Sequence, residues 1–392
     1  MPDRAMKELR KFVVPEVIVG TDARLLAGRY VAHFGARRVM VVTDPQVVEQ
    51  PWFAGIIDSI RQLDKEVELF TDVTENPKDY EVMLGSELFL ANECDLIVAV
   101  GGGSPMDCAK GIGIVSTNGG HILDYEGVDE VRLPGPPLIC IPTTAGTSAD
   151  VSQFAIIVDT QTHVKKAIIS KKVVPDLALI DPVPLLTMPP YLTACTGMDA
   201  LTHAIEAAVS NARSELTDVH ALEAVRLVTE NLEAAVQPER TLGTMRNMMM
   251  GSLHAGFAFS NASLGAVHAL AHSLGGLLDL AHGECNGILL EHLIFLNYPH
   301  AVSQFQHLSR QMKLPMEAAD DDQLRRQLVQ AVSALRQRVG IPDTLPAVTV
   351  TPGQIDKMAE SALQDPCMVT NPKKLTKAEV VTIYEKLFHP QG

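Results

Sequence analysis

The stretch from residue 95 to residue 107 constrains this chain more than any other. Asp95-Leu96-Ile97-Val98-Ala99-Val100 runs directly into Gly101-Gly102-Gly103-Ser104-Pro105-Met106-Asp107. A strand apolar on both faces belongs inside a parallel sheet, whose crossover connections are helices. The residues that follow predict such a helix: Ser104 as N-cap, Pro105 at the first position where its missing N–H costs nothing, and Asp107 three residues after the cap. The glycines allow backbone amides to approach a ligand closely, and a helix N-terminus carries partial positive charge that suits a pyrophosphate. An ordinary tight turn into a helix is the alternative. The spacing is not G-x-G-x-x-G, because Met106 stands where the third glycine would be, so the standard dinucleotide fingerprint is absent.

Two more runs, Arg38-Val39-Met40-Val41-Val42-Thr43 and Pro137-Leu138-Ile139-Cys140-Ile141, read as buried strands separated by helical patterns. They predict a doubly wound α/β domain with a parallel sheet. After Leu185-Leu186-Thr187-Met188-Pro189-Pro190 the strand signal fades and helical periodicity takes over, as at Leu222, Val225, Val228 and Leu232. At 392 residues the chain suits two domains. We expect an α/β domain over 1–187 and an all-α domain over 188–392, with a ligand in the cleft between them.

Lys and Arg total 32 against 47 Asp and Glu, a formal charge of −15 that argues against nucleic acid or an anionic membrane as partner. The six cysteines are scattered singly, without C-x-x-C, which suits reduced thiols. The N-terminus lacks an apolar run, and no stretch reaches the roughly 20 apolar residues of a membrane span. A cytoplasmic location is expected.

Asp44, just past the strand at 38–43, is positioned to accept from a ribose 2′-hydroxyl, which would favour NAD over NADP; a Thr-Asp-Pro turn is the competing reading. Thr143-Thr144-Ala145-Gly146-Thr147-Ser148 is a second small-residue loop at a strand's C-terminal end, suited to phosphate or ribose. Asp199 and His203 are four apart in a helical segment and share a face, as do His268 and His272; His282 follows. Four histidines and an aspartate on otherwise apolar stretches are costly to bury alone, and a shared cation resolves this. One aspartate with three imidazoles can hold Fe(II) or Zn(II) with a position open to a substrate oxygen, and ligand type does not name the metal.

With these residues assembled, the chain resembles the iron-containing alcohol dehydrogenase family, whose relatives include glycerol dehydrogenase and dehydroquinate synthase. The resemblance extends over essentially the whole chain. It rests on Gly101-Gly102-Gly103-Ser104-x-x-Asp107, Thr143-Thr144-Ala145-Gly146-Thr147, Gly197-Met198-Asp199-Ala200-Leu201-x-His203-Ala204-x-Glu206, and His268-x-x-x-His272 with His282-Gly283. It implies a dehydroquinate synthase-like architecture, with a Rossmann-like α/β N-terminal domain and a helical metal-binding C-terminal domain, Fe2+ held by Asp199, His203, His268 and His282, and His272 as a cleft residue near the nicotinamide. It also implies that Asp44, Asn76, Gly102, Gly103, Ser104, Thr143, Thr144, Thr147, Ser152 and Lys165 touch NAD, and that the protein is a homodimer or larger homo-oligomer.

Some positions depart from the family's pattern: Ser148-Ala149-Asp150-Val151-Ser152, Phe154 where a polar residue is frequent, Glu284 and Cys285 after His282-Gly283, and Glu291 for a common proline. They leave the ligands untouched and bear on the substrate. The implied activity is reversible hydride transfer between a primary, short-chain alcohol and NAD, with Lewis-acid help from the cation and His272 as acid/base. A zinc-dependent polyol dehydrogenase, a synthase of the dehydroquinate type and a slow-turnover alcohol or redox sensor are the alternatives. Cys367 receives no role, Asp320-Asp321-Asp322 reads as solvated loop or helix start, and Met248-Met249-Met250 as core.

Overall fold

Six strands of the first half hydrogen-bond side by side, all parallel, in the order β1-β9-β6-β4-β2-β3. They are β1 (Glu16–Val19), β2 (Arg38–Val42), β3 (Glu66–Phe70), β4 (Leu96–Gly101), β6 (Leu138–Pro142) and β9 (Leu177–Ile180). The computed structural model describes residues 10–162, 164–278, 280–316, 320–345 and 350–388. Every residue of β4 and β6 is buried, as expected of central strands covered on both sides. On one face Val39, Val41, Val98 and Ile139 pack against Ile56 and Ile60 of the helix Phe53–Arg61. On the other, Met40, Val42, Ile97 and Cys140 pack against Met106 and Ile112 of the helix Gly103–Asn118. The adjacent strands β2 and β4 therefore send their chains to opposite faces. That divergence opens a crevice at the strands' C-terminal ends, flanked by Asp44 and Gly102.

The helix after β4 begins earlier than its sequence suggests. Its N-cap is Gly102, with no side-chain cap bond. Ser104 lies inside the first turn, where its Oγ accepts from the Asn76 N–H at 3.2 Å. Asp107 reaches across to accept from Ile156 N–H at 3.1 Å instead of closing the cap. The expected Ser104/Asp107 cap is thus corrected: glycine adopts the cap conformation unaided, and both polar side chains tie the helix to neighbouring loops.

A second sheet, unforeseen from sequence, consists of β5 (Gly127–Val128), β8 (Val164–Ile169) and β7 (Phe154–Asp159), in the order β5-β8-β7. β7 and β8 form an antiparallel pair in the register Phe154↔Ile169. It brings Phe154, Ile156, Lys165 and Ala167 to the wall of the crevice.

Beyond β9 the regular elements among the described residues are helical. Pro190 occupies the first turn of the helix Pro190–Val209, whose residues are buried from Thr193 to Val209. A helix apolar nearly all round must be enclosed by others. The helices Glu215–Ala235, Leu242–Ala262 and His282–Asn297 do this. Val225, Val228, Leu232, Met248 and Met249 join that core, with Leu222 and Met250 at its margin. Asp320 caps the helix Asp321–Arg338, accepting from Gln323 N–H at 2.7 Å.

Candidate active site

One cleft of about 610 Å³ runs from the crevice beside β2 and β4 into the helical half. It is lined by Asp44, Asn76, Gly102, Gly103, Ser104, Thr143, Thr144, Thr147, Ser152 and Lys165 at one end, and by Asp199, His203, His268, His272 and His282 at the other. Every cofactor, metal and acid/base candidate named from the sequence thus borders the same space.

At the β-sheet end, Thr143 N–H donates to Gly101 O at 2.9 Å, tying the loop after β6 to the loop after β4. Gly102 and Gly103 leave a cradle: a Cβ on either would lie 3.1 Å from the methyl of Thr144 or Thr147. No side chain consumes the first-turn amides of this helix as a cap. Small residues, free amides and hydroxyls at a helix N-terminus fit a dinucleotide pyrophosphate. Asp44 does two things. Its Oδ1 accepts from Val47 N–H at 2.9 Å, capping a one-turn helix, while the side chain still borders the cleft. Asn76 adopts positive φ (55°), which asparagine tolerates; its Oδ1 accepts from Lys165 Nζ at 2.8 Å. Ser152 is held by the buried Lys110, whose Nζ donates to Ser152 O at 3.1 Å, Ser152 Oγ at 3.2 Å and Phe154 O at 2.6 Å.

At the helical end, three imidazoles converge on one carboxylate oxygen. His203 Nε2, His268 Nε2 and His282 Nε2 lie 3.8, 3.7 and 3.8 Å from Asp199 Oδ1. The tautomers of two are fixed by their partners. His268 Nδ1 donates to Glu206 Oε2 at 2.6 Å, and His203 Nδ1 donates to the carbonyl of Gly146 at 3.2 Å. With one proton kept on Nδ1, each Nε2 is the nitrogen left to offer a lone pair on the Asp199 side. Three imidazole nitrogens and a carboxylate oxygen converging on one point are the donor set of a divalent cation, so the residues fit a metal. Ligand atoms of Asp199, His268 and His282 lie within 4.8 Å of one another. His203 stands outside that tighter group, stacked between Phe259 and His268 at 4.2 and 4.5 Å.

The charges follow the same logic. Burial alone would raise the Asp199 carboxyl, yet His203, His268 and His282 hold it well below the usual range. Burial pushes His203 down to about 4. Burial opposes charge on His268 as well, but with no cation beside it Glu206 and Asp199 carry it up to about 9, so a metal would have to displace a proton from its Nε2 on binding. Gly283 makes the geometry possible, since a Cβ there would lie 2.2 Å from Cys195 O. The start of helix His282–Asn297 can thus rest directly on the Asp199 helix.

His272 borders the cleft beside this cluster. Its ring stacks on His282 at 5.4 Å and its Nδ1 donates to Asp365 Oδ2 at 2.8 Å. Asp365 is kept at about 2: burial would raise it, and His272 outweighs that. Cys367, whose backbone N–H donates to Asp365 Oδ1 at 2.8 Å, also lines the cleft. Burial keeps its thiol well above the ordinary value, so it is not a thiolate. Phe154, Phe259 and Leu264 form an apolar wall next to the imidazoles.

Two residues that back the cluster received no role in the sequence reading, although Glu206 stood in a quoted motif and helical spacing pointed to both. Glu206 lies seven residues after Asp199 and three after His203, on the same face; it accepts from Gly265 N–H at 3.0 Å and Val267 N–H at 2.6 Å as well as from His268. Asn286 lies four after His282, repeating the spacing of Asp199 to His203.

The comparisons agree with the geometry. A model of iron-containing alcohol dehydrogenases matches residues 15–182, and one of the C-terminal domain of the Fe-containing alcohol dehydrogenase family matches residues 193–388. The chain is 36% identical over 380 residues to the 1,3-propanediol dehydrogenase of Klebsiella pneumoniae, covering 96% of this chain and 98% of that one. It is 32% identical over 372 residues to the NAD-dependent methanol dehydrogenase of Bacillus methanolicus, covering 95% and 98%. A crystal structure of a 1,3-propanediol oxidoreductase superposes with a TM-score of 0.94 at 36% identity, over 97% of this chain and 100% of that one. With the expected dehydroquinate synthase-like architecture present throughout, the chain belongs to the iron-containing alcohol dehydrogenase family, and the protein is an oxidoreductase acting on alcohols.

Proposed function

We propose that this enzyme reversibly oxidises a primary, short-chain alcohol with NAD, giving the aldehyde and NADH, at an Fe2+ centre formed by Asp199, His203, His268 and His282. The observation that carries the reading is the convergence of three imidazole nitrogens on Asp199 Oδ1, at the end of a cleft that begins on the helix N-terminus at Gly102. A bound divalent cation supplies Lewis acidity to the alcohol oxygen, and NAD supplies the hydride acceptor. Zn2+ is the alternative metal, since the same donors accept it.

The chain's own residues do the rest. Gly102, Gly103, Ser104, Thr143, Thr144 and Thr147 cradle the pyrophosphate and ribose, and Asp44 accepts from the adenosine ribose 2′-hydroxyl through the oxygen not used on Val47. Asn76, Ser152 and Lys165 fix the nicotinamide half. His272 holds the proton that the hydroxyl gives up, on its Nε2, with Asp365 orienting the ring through Nδ1. Phe154, Phe259 and Leu264 offer the carbon chain an apolar wall, which suits a monohydric alcohol better than a polyol. Glu291, at the departure from the family's proline, pairs with Arg336 at 3.3 Å and does not line this cleft, so we place its effect outside substrate choice.

We further propose that the domain boundary falls at 187/188, that the protein works as a homodimer or larger homo-oligomer, and that it resides in the cytoplasm, in keeping with its free, buried cysteines. An anaerobic panel of alcohols with NAD and NADP, on protein of measured metal content, tests the activity. NADH formation at 340 nm with short primary alcohols is expected. No net absorbance change with any alcohol, at full metal content, would overturn it.

A further inference from the structure

We propose that Asn286 is a positioning residue of the metal centre, its carboxamide locking the Asp199 carboxylate in the orientation that takes the cation. The inference rests on the metal reading just given. Asn286 is fully buried, one turn beyond His282 on the helix His282–Asn297. Its Nδ2 lies 2.7 Å from Asp199 Oδ1, 3.1 Å from His268 Nε2 and 3.2 Å from His282 Nε2. Its Oδ1 is buried with no hydrogen-bond partner.

An orphaned buried carbonyl is costly, and a leucine would occupy this space without that cost. The gain that keeps an amide here must therefore lie on its nitrogen. That nitrogen has two N–H bonds and faces three acceptors, so it cannot serve them all. The acceptors are not equivalent. An imidazole nitrogen has one lone pair, which a cation takes entirely. A carboxylate oxygen has two and can bind a cation while accepting a hydrogen bond. Asp199 Oδ1 is also the nearest of the three. The bond from Asn286 to Asp199 thus persists when metal is bound, whereas those to His268 and His282 give way to it.

Asn286 joins a set of outer partners that holds three of the four ligands from behind: His268 by Glu206, His203 by the Gly146 carbonyl, Asp199 by Asn286. Such partners set ligand orientation and metal affinity. Here the support comes from the helix that also carries His282, so two ligands on different helices are locked to each other.

The test uses Co2+, whose visible bands report coordination geometry. Metal-free wild type, Asn286→Leu and Asn286→Ala are titrated with Co2+ against a chromophoric chelator, without NAD, and release to excess EDTA is timed. Variants with wild-type circular dichroism that bind Co2+ about 10–100-fold more weakly, release it faster and have altered d–d bands support the proposal. Wild-type affinity, release rate and spectrum in Asn286→Leu overturn it. Should the leucine variant fail to fold, the alanine variant, which only removes atoms, carries the same two outcomes. Failure of the wild type itself to bind Co2+ would instead refute the metal reading, and with it this one.

Discussion

Glu206→Gln removes one charge and almost no volume, and the structure predicts one of two losses from it. The carboxylate accepts from Val267 N–H at 2.6 Å through Oε1, and from Gly265 N–H at 3.0 Å and His268 Nδ1 at 2.6 Å through Oε2. Glutamine has one acceptor oxygen, so one side of this arrangement must face an NH2 group. If the oxygen stays on the Gly265 and His268 side, the Val267 N–H is left buried against another donor, costing about 1–3 kcal/mol. If it stays on the Val267 side, His268 must accept through Nδ1, and its proton moves to Nε2, aimed at Asp199. The metal then loses a lone pair, and affinity falls by about 10–100-fold. Thermal unfolding of the metal-free protein reads the first loss, roughly 2–4 °C per kcal/mol in a domain of about 200 residues. Chelator competition under anaerobic conditions reads the second. A variant with wild-type melting temperature and wild-type metal affinity would refute the argument that Glu206 fixes the His268 tautomer.

Three further outcomes are expected. His272→Ala lowers kcat by about 10²–10⁴-fold with metal content unchanged; loss of metal in this variant would make His272 a ligand instead. Asp44→Ala weakens NAD binding and relaxes the preference against NADP, and an unchanged ratio of the two kcat/KM values would remove the ribose role. Burial pushes the Asp150 carboxyl up to about 6, above its ordinary 3.8; because the folded state binds this proton more tightly, the stability it adds is full below about pH 4 and is lost as the pH rises through 6. Asp150→Asn, which cannot ionise, should therefore gain on the wild type by up to about 3 kcal/mol between pH 4 and pH 8, and equal differences in melting temperature at pH 5 and pH 8 would contradict this.

The central sheet was legible because β2, β4 and β6 are apolar on both faces, a pattern few other environments produce. The small sheet was not, because β8 reads Val-Lys-Lys-Ala-Ile-Ile and is only partly buried, so its period resembles a loop as much as a strand. The start of the helix after β4 was displaced for a similar reason. Ser104 and Asp107 have the chemistry of caps, but tertiary partners at Asn76 and Ile156 claim them. The clustering of the candidate metal donors was legible from residue type and one-turn spacing. Glu206 and Asn286 carried the same spacing, yet a glutamate and an asparagine on a helix have many ordinary uses. Only the fold brings Glu206 behind His268, or Asn286 against Asp199, from distant parts of the chain. Asp365 was invisible for the same reason: it orients His272 from far along the sequence.

The most direct measurement is an anomalous-difference map at the iron edge, from crystals of anaerobically iron-loaded protein soaked with NAD. The account predicts one strong peak about 2.0–2.2 Å from Asp199 and from the Nε2 atoms of His203, His268 and His282, with His203 drawn in to complete the set and the nicotinamide facing the open side. No peak among these side chains, or a peak elsewhere while they point apart, would contradict it.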